Sequence, residues 1–158
     1  MMKEVMTGAL LVALASLAPG QVDKPAPALA LKDVAGQMLR LSDYKGKVVL
    51  INFWATWCAP CRAEMPDLIK WQREYRRRGL QVIGIAYPPG ELAEVRKFTK
   101  MMKVNYPIAL GKEETKTLFD QGETLPMTVV IDRQGVVREI IQGILFPEEF
   151  EQKIMPLF

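Results

Sequence analysis

The chain has no histidine and only two cysteines among its 158 residues. The missing histidine removes the commonest general base and a common metal ligand together. Two cysteines cannot by themselves close a structural zinc site, which takes four ligands. Serine–histidine and cysteine–histidine triads are excluded as well. The remaining chemistry must come from thiols and carboxylates, and no metal or other cofactor is expected. A dominant charge sign is also lacking, with 21 lysines and arginines against 18 aspartates and glutamates. The single basic run, Arg76-Arg77-Arg78, closes a predicted helix just before Gly79, where cations face the negative end of the helix dipole. With no basic stripe of the kind that reads a phosphate backbone, no nucleic-acid partner is expected.

No apolar run reaches the roughly 20 residues that span a bilayer. The stretch "VMTGALLVALASLA" after Lys3 is about fourteen apolar or small residues, the length of a secretory leader core. Ala18 and Gly20 stand at the −3 and −1 positions of a cut after Gly20. Glu4 weakens the positive leader, so an uncleaved anchor and a start at Met6 stay open alternatives. No cysteine lies near this segment, which excludes a lipoprotein anchor. Residues 1–20 are therefore expected to be a signal peptide or N-terminal anchor, residues 21–158 one domain, and the location periplasmic or otherwise extracytoplasmic.

Within that domain, Leu29–Leu31 and Met38–Leu41 flank the turn signal at Gly36 and predict a small hairpin. Ser42 is expected to cap a short helical turn that Gly46 ends. Val48–Phe53 and Leu80–Ala86 read as strands covered on both faces. Helical spacing recurs over Cys58–Arg78 and Glu91–Met102. A short strand at Ile108–Leu110 and a helix at Glu114–Phe119 follow. "MTVVIDRQGVVREIIQG" predicts a hairpin turning at Asp132–Gly135, and Pro147 opens a last helix. Alternating strands and helices with an antiparallel pair near the end call for a mixed sheet with helices on both faces.

Both cysteines fall in "NFWATWCAPCRAEMP", at the carboxyl end of the Val48–Phe53 strand, where working residues of such sheets gather. At the start of a helix, unpaired N–H groups and the dipole favour a thiolate, so Cys58 is expected to ionise readily and to be the exposed thiol. Pro60 costs nothing in the first turn. Cys61, almost one turn on, can close a ring with Cys58. A C-x-x-C alone also fits half a zinc site or a plain structural disulfide. The strand before, the "W-C-x-P-C" setting and the helix after favour redox use.

"VVLINFWATWCAPCRAEMP" resembles the thioredoxin superfamily, and in particular its TlpA/ResA-like branch of exported thiol–disulfide oxidoreductases. "PAPALALKDVAGQMLRLSDYKGK" is similar to that branch's N-terminal hairpin, "LQVIGIAYPPGELAEVRKF" to its extra strand-and-helix insertion, and "TLPMTVVIDRQGVVREIIQG" to its proline loop and final hairpin. The resemblance implies a thioredoxin fold with a mixed central β-sheet flanked by helices. It also implies an enzyme that exchanges disulfides with proteins. Cys58 matches the attacking thiol, Cys61 the resolving one, and Trp57 the flanking aromatic. Pro126 matches a cis-proline facing the pair, preceded by Leu125, and with Trp57 and Pro60 these would meet substrate. Pro66 matches a helix-kinking proline. Glu64 matches a carboxylate close to the cysteines, while Asn52 stands where thioredoxin has a buried aspartate. Branch members act in cytochrome c maturation or copper-site assembly, so apocytochrome or copper-protein cysteines are candidate partners, with a membrane thiol reductant upstream and a monomeric protein.

Two rivals remain. Thiol peroxidase chemistry on the related fold needs a threonine three residues before the reactive cysteine, where Ala55 stands and Thr56 comes one place late. A Cu(I)-binding metallochaperone would use the two soft thiolates, with Met101 and Met102 as further ligands.

Overall fold

Val48–Trp54 forms the central strand, β3, with every residue buried. A strand this apolar on both faces is stable only with cover on both sides. The computed structural model describes residues 20–87, 90–119, 122 and 124–158. The leader proposed for the first 20 residues lies almost wholly outside them, and no helix of the described residues is long and apolar enough to cross a membrane.

A hairpin of β1 (Ala30–Lys32) and β2 (Met38–Arg40) comes first and forms its own two-stranded sheet. After β3 come α1 (Ala59–Tyr75), β4 (Leu80–Ala86), α2 (Leu92–Met101), β5 (Ile108–Leu110) and α3 (Glu113–Leu118). The hairpin β6 (Met127–Ile131) and β7 (Val137–Gln142) and the short α4 (Pro147–Glu149) complete the order. The main sheet runs β5-β4-β3-β6-β7, with β4 parallel to β3 and β5, and β6 antiparallel to β3 and β7. One core cluster gathers Leu50, Trp54, Met65, Leu68 and Trp71, and the other Ile51, Phe53, Ile83, Ile85 and Phe119. The alternation of β3 thus divides its side chains between two layers.

Two local expectations need correction, and the last helix, which opens at Pro147 as expected, departs from a regular α-helix. Ser42 is no cap: the turn is a 3₁₀ helix over Leu41–Tyr44, preceded by Arg40, with no side-chain cap bond. The Leu41 amide is held instead by the Leu29 carbonyl at 3.0 Å, which starts the turn one residue early. The first long helix ends at Tyr75, and Arg76–Arg78 form a 3₁₀ turn that stops at Gly79, whose φ of 98° suits glycine. The last helix is also irregular, α over Pro147–Glu149, π over Phe150–Ile154 and 3₁₀ over Met155–Leu157. Pro156 has no N–H to continue an α-helix, while Phe150 is fixed by stacking on Trp71 at 4.2 Å.

Gly84 marks the tightest point of the sheet. A Cβ there would stand 2.4 Å from Ile108 Cδ1 and 3.1 Å from Trp54 Nε1, both in buried residues. Gly84→Ala should therefore overpack the core and cost about 1–3 kcal/mol, read from urea midpoints. Adding Ile108→Val removes the clashing methyl and should recover part of that loss; a double variant no more stable than G84A would point to backbone strain instead.

Candidate active site

Cys58 occupies the N-cap of α1, with extended backbone (φ −80°, ψ 106°) and its sulfur accepting the Cys61 amide at 3.2 Å. That contact is what a developing thiolate needs, an oriented N–H at the positive end of a helix dipole. Pro60 lies in the first turn, exposed like Ala59. Cys58 and Cys61 are joined by a disulfide, S–S 2.08 Å. The expectation that Cys58 alone is exposed fails in this oxidised form, since Cys58 is 4% and Cys61 2% exposed. Both sit within the core cluster with Ala55 and Leu145, and Leu125 packs against it. What distinguishes the thiols here is their place on the helix, not exposure.

Trp57, 68% exposed, stands beside the buried pair. The Leu125–Pro126 bond is cis, as expected. Met127 pairs with Phe53 across β6 and β3, so the proline precedes β6 at the same end of the sheet where β3 hands over to the cysteines. The Pro126 carbonyl accepts the Gly143 amide at 2.8 Å. Pro66 is exposed within α1.

Glu64 is not a surface glutamate; it is 1% exposed. It follows Cys61 by three residues, on nearly the same helix face. Its Oε2 accepts from Asn52 Nδ2 at 2.9 Å and its Oε1 from the Leu145 amide at 2.7 Å. Asn52 spends its other amide hydrogen on Thr128 Oγ1 at 3.0 Å, and the two residues pair directly across β3 and β6. Burial pushes the Glu64 carboxyl up from 4.5 to about 7, against the lowering pull of the Leu145 and Asn52 bonds, with a further raise from Asp67. Tyr106 is buried too, its hydroxyl without a hydrogen-bond partner among the described residues. Burial raises its pKa, and the charge of Glu64 raises it further.

Sequence reasoning missed Thr128, Tyr106 and the Leu145 amide. Thr128 left a signal, a lone hydroxyl inside the apolar run "MTVVI"; a main-chain donor leaves none.

The rival readings find little in this geometry. The Thr56 hydroxyl donates to Glu94 Oε1 at 2.7 Å. Met102 packs partly on the core, while Met101 is exposed.

A disulfide at the head of the helix that leaves the central strand, with a cis-proline loop at the same sheet end, defines a thioredoxin-fold thiol–disulfide oxidoreductase, and this chain is of that class. It belongs to the AhpC/TSA family, whose profile matches residues 22–140. Thioredoxin-like protein YneN of Bacillus subtilis (strain 168) is 38% identical over 136 residues, covering 85% of this chain and 79% of that one. Thiol-disulfide oxidoreductase ResA of Geobacillus kaustophilus is 34% identical over 133 residues, covering 84% and 76%. Among solved structures, a thiol:disulfide interchange protein of the thioredoxin family from Chlorobium tepidum TLS superposes with a TM-score of 0.77 at 30% identity, covering 84% of this chain and 94% of its own.

Glu64 should leave its mark on stability against pH. Its native pKa of about 7 lies above the 4.5 of the ordinary carboxyl, so the native state holds an extra proton between those values. The resulting stabilisation is complete below pH 4.5 and is lost as pH rises through 7, a change of about 3 kcal/mol. Urea unfolding of the oxidised protein at pH 4, 5.5 and 7.5 should show this fall, and Glu64→Gln should remove it. Equal pH dependence in both proteins would mean that the buried carboxyl titrates normally.

Proposed function

We propose that this protein reduces disulfides of exported proteins, with Cys58 as the attacking thiol, Cys61 as the resolving thiol and Glu64 as the proton carrier between them. The observation that carries the reading is Glu64 itself: a buried carboxyl one helical turn past Cys61, titrating near neutrality, on the helix that Cys58 caps. In the reduced protein the Cys58 thiolate attacks one sulfur of a substrate disulfide, forming a mixed disulfide and expelling the other substrate sulfur as a thiolate. Cys61 gives its proton to Glu64 and attacks the Cys58 sulfur. The second substrate thiolate leaves, and the Cys58–Cys61 disulfide remains. Two electrons pass to the substrate, and a membrane thiol reductant returns them to the pair.

The exposed Trp57 and Pro60 and the half-buried Leu125 form the surface that receives the substrate, while the buried Pro126 shapes the loop whose main chain pairs with an extended segment. The substrates are apocytochrome c cysteines or cysteines of a copper site. Residues 1–20 serve as signal peptide or anchor, residues 21–158 act as one monomeric domain, and the work is done in the periplasm or its extracytoplasmic equivalent. The names of the ResA and YneN relatives support the thiol–disulfide part of this reading.

Cys61→Ser keeps the attack and removes resolution, so mixed disulfides through Cys58 should accumulate in a periplasmic extract and be visible on non-reducing gels. Cys58→Ser should trap almost nothing; equal trapping by both would reverse the assigned order. Glu64→Gln should lower the pKa of both thiols in the reduced protein and slow release of the mixed disulfide, measured by thiol titration and stopped-flow turnover. Unchanged values in both would leave Glu64 with a structural part only.

A further inference from the structure

Six cations drawn from three separate loops lie at the end of the sheet opposite the cysteine pair. Lys45 and Lys47 precede β3, Arg76, Arg77 and Arg78 precede β4, and Arg133 lies in the β6–β7 turn. Arg133 binds the loops together: its guanidinium donates to the Gly46 carbonyl at 3.0 Å and the Arg78 carbonyl at 2.8 Å, and its own carbonyl accepts the Gly46 amide at 3.2 Å. All these acceptors are main-chain carbonyls, so the guanidinium charge is not cancelled.

Among the described residues, none of the six has a carboxylate at ion-pair distance. The neighbouring acids are mostly engaged elsewhere, Asp132 and Asp23 by Arg138 at 2.6 and 2.9 Å, and Glu74 by Arg73 at 3.9 Å. Asp43 is the exposed acid left on these loops. Aromatic rings lie under the cations. Arg78 sits over Tyr75 at 5.4 Å and Phe158 at 5.1 Å, and Lys47 over Tyr44 at 5.7 Å. Lysine and arginine beside tyrosine is a composition met at membrane–water boundaries.

The chain also enters the domain at this pole. The Asp23 and Ala26 amides donate to the Val137 and Gly135 carbonyls, beside the turn that holds Arg133. The seven residues of β3 put the cysteine pair about 20 Å away at the other end.

We propose that this pole is a membrane-facing surface that docks on anionic lipid headgroups and turns the cysteine pair toward the aqueous side. The inference rests on the export reading above, under which the apolar leader and the basic face address one and the same surface. An oriented disulfide reductase would then present Trp57 and the cis-proline loop to soluble substrates, and its membrane reductant would meet the pair through a part that stands out from the bilayer.

The test uses the full chain with two vesicle preparations, pure phosphatidylcholine and the same lipid with one quarter phosphatidylglycerol. Binding should be tighter to the anionic vesicles, and the difference should shrink as salt is raised. In K45E/K47E/R76E/R77E the preference should fall by at least roughly 100-fold, since each cation near such a surface counts for about fivefold. The milder K45Q/K47Q/R76Q/R77Q should lose most of it, with reduction of a small-molecule disulfide unchanged in both. Of the three tryptophans, Trp54 and Trp71 are buried, so acrylamide quenching reports on Trp57, which should stay as accessible on anionic vesicles as in solution. An undiminished preference in both variants, or shielding of Trp57 on binding, overturns the proposal. Tighter binding to a DNA duplex than to anionic vesicles at equal salt overturns it as well. Failure of the anchor reading shows separately, as no binding to pure phosphatidylcholine.

Discussion

A carboxylate taken out of water must be answered donor by donor, or it stays protonated or the fold opens. Glu64 is answered twice, and each donor comes from a different part of the chain. Asn52 can reach it only because β3 runs under α1, and Asn52 is itself steadied only if Thr128 lies opposite, which fixes the register of β6 on β3. The Leu145 amide can reach it only if the chain turns back after β7 toward the helix. One side chain therefore ties the central strand, its antiparallel neighbour, the long helix and the segment before α4. The two donors stop short of restoring an ordinary acidity, and the group is left poised near neutrality beside the disulfide.

Family membership and chemistry are separate matters here. A fold hosts several activities, and the site decides among them. In this chain Ala55 offers no hydroxyl at the place a peroxidase needs one, and Thr56 turns its own toward Glu94. The carboxylate, the capped cysteine and the cis-proline loop instead form a set suited to exchanging one disulfide for another.

Much of this was legible in the sequence, for physical reasons. Apolar runs such as Val48–Trp54 and Leu80–Ala86 have one comfortable state, a strand covered on both faces, and both strands fall within a residue of the expected limits. The β6–β7 turn was legible because Asp132 and Gly135 carry its geometry locally, the Asp132 side chain accepting the Gln134 and Val136 amides at 2.9 Å. Ser42 misled because its capping ability is local while the Leu41–Leu29 bond that overrides it is not. Cys58 is buried in a core cluster that also holds Leu145, far along the chain, and no pattern around "WCAPC" encodes that. The basic pole was invisible for the same reason: its residues are adjacent only after β3, β4 and the hairpin turn are brought into line.

The short strand β6 carries the cis-proline just before its first residue and Arg133 just after Asp132 at its far end. A slip of one position against β3 would turn Thr128 away from Asn52 and, in the same movement, draw Arg133 off the carbonyls of Gly46 and Arg78. No misregistered molecule could keep one end of the protein sound while spoiling the other. The strand works as a shared gauge: an error in its placement spoils both ends together, since the same slip turns its side chains to the wrong layer.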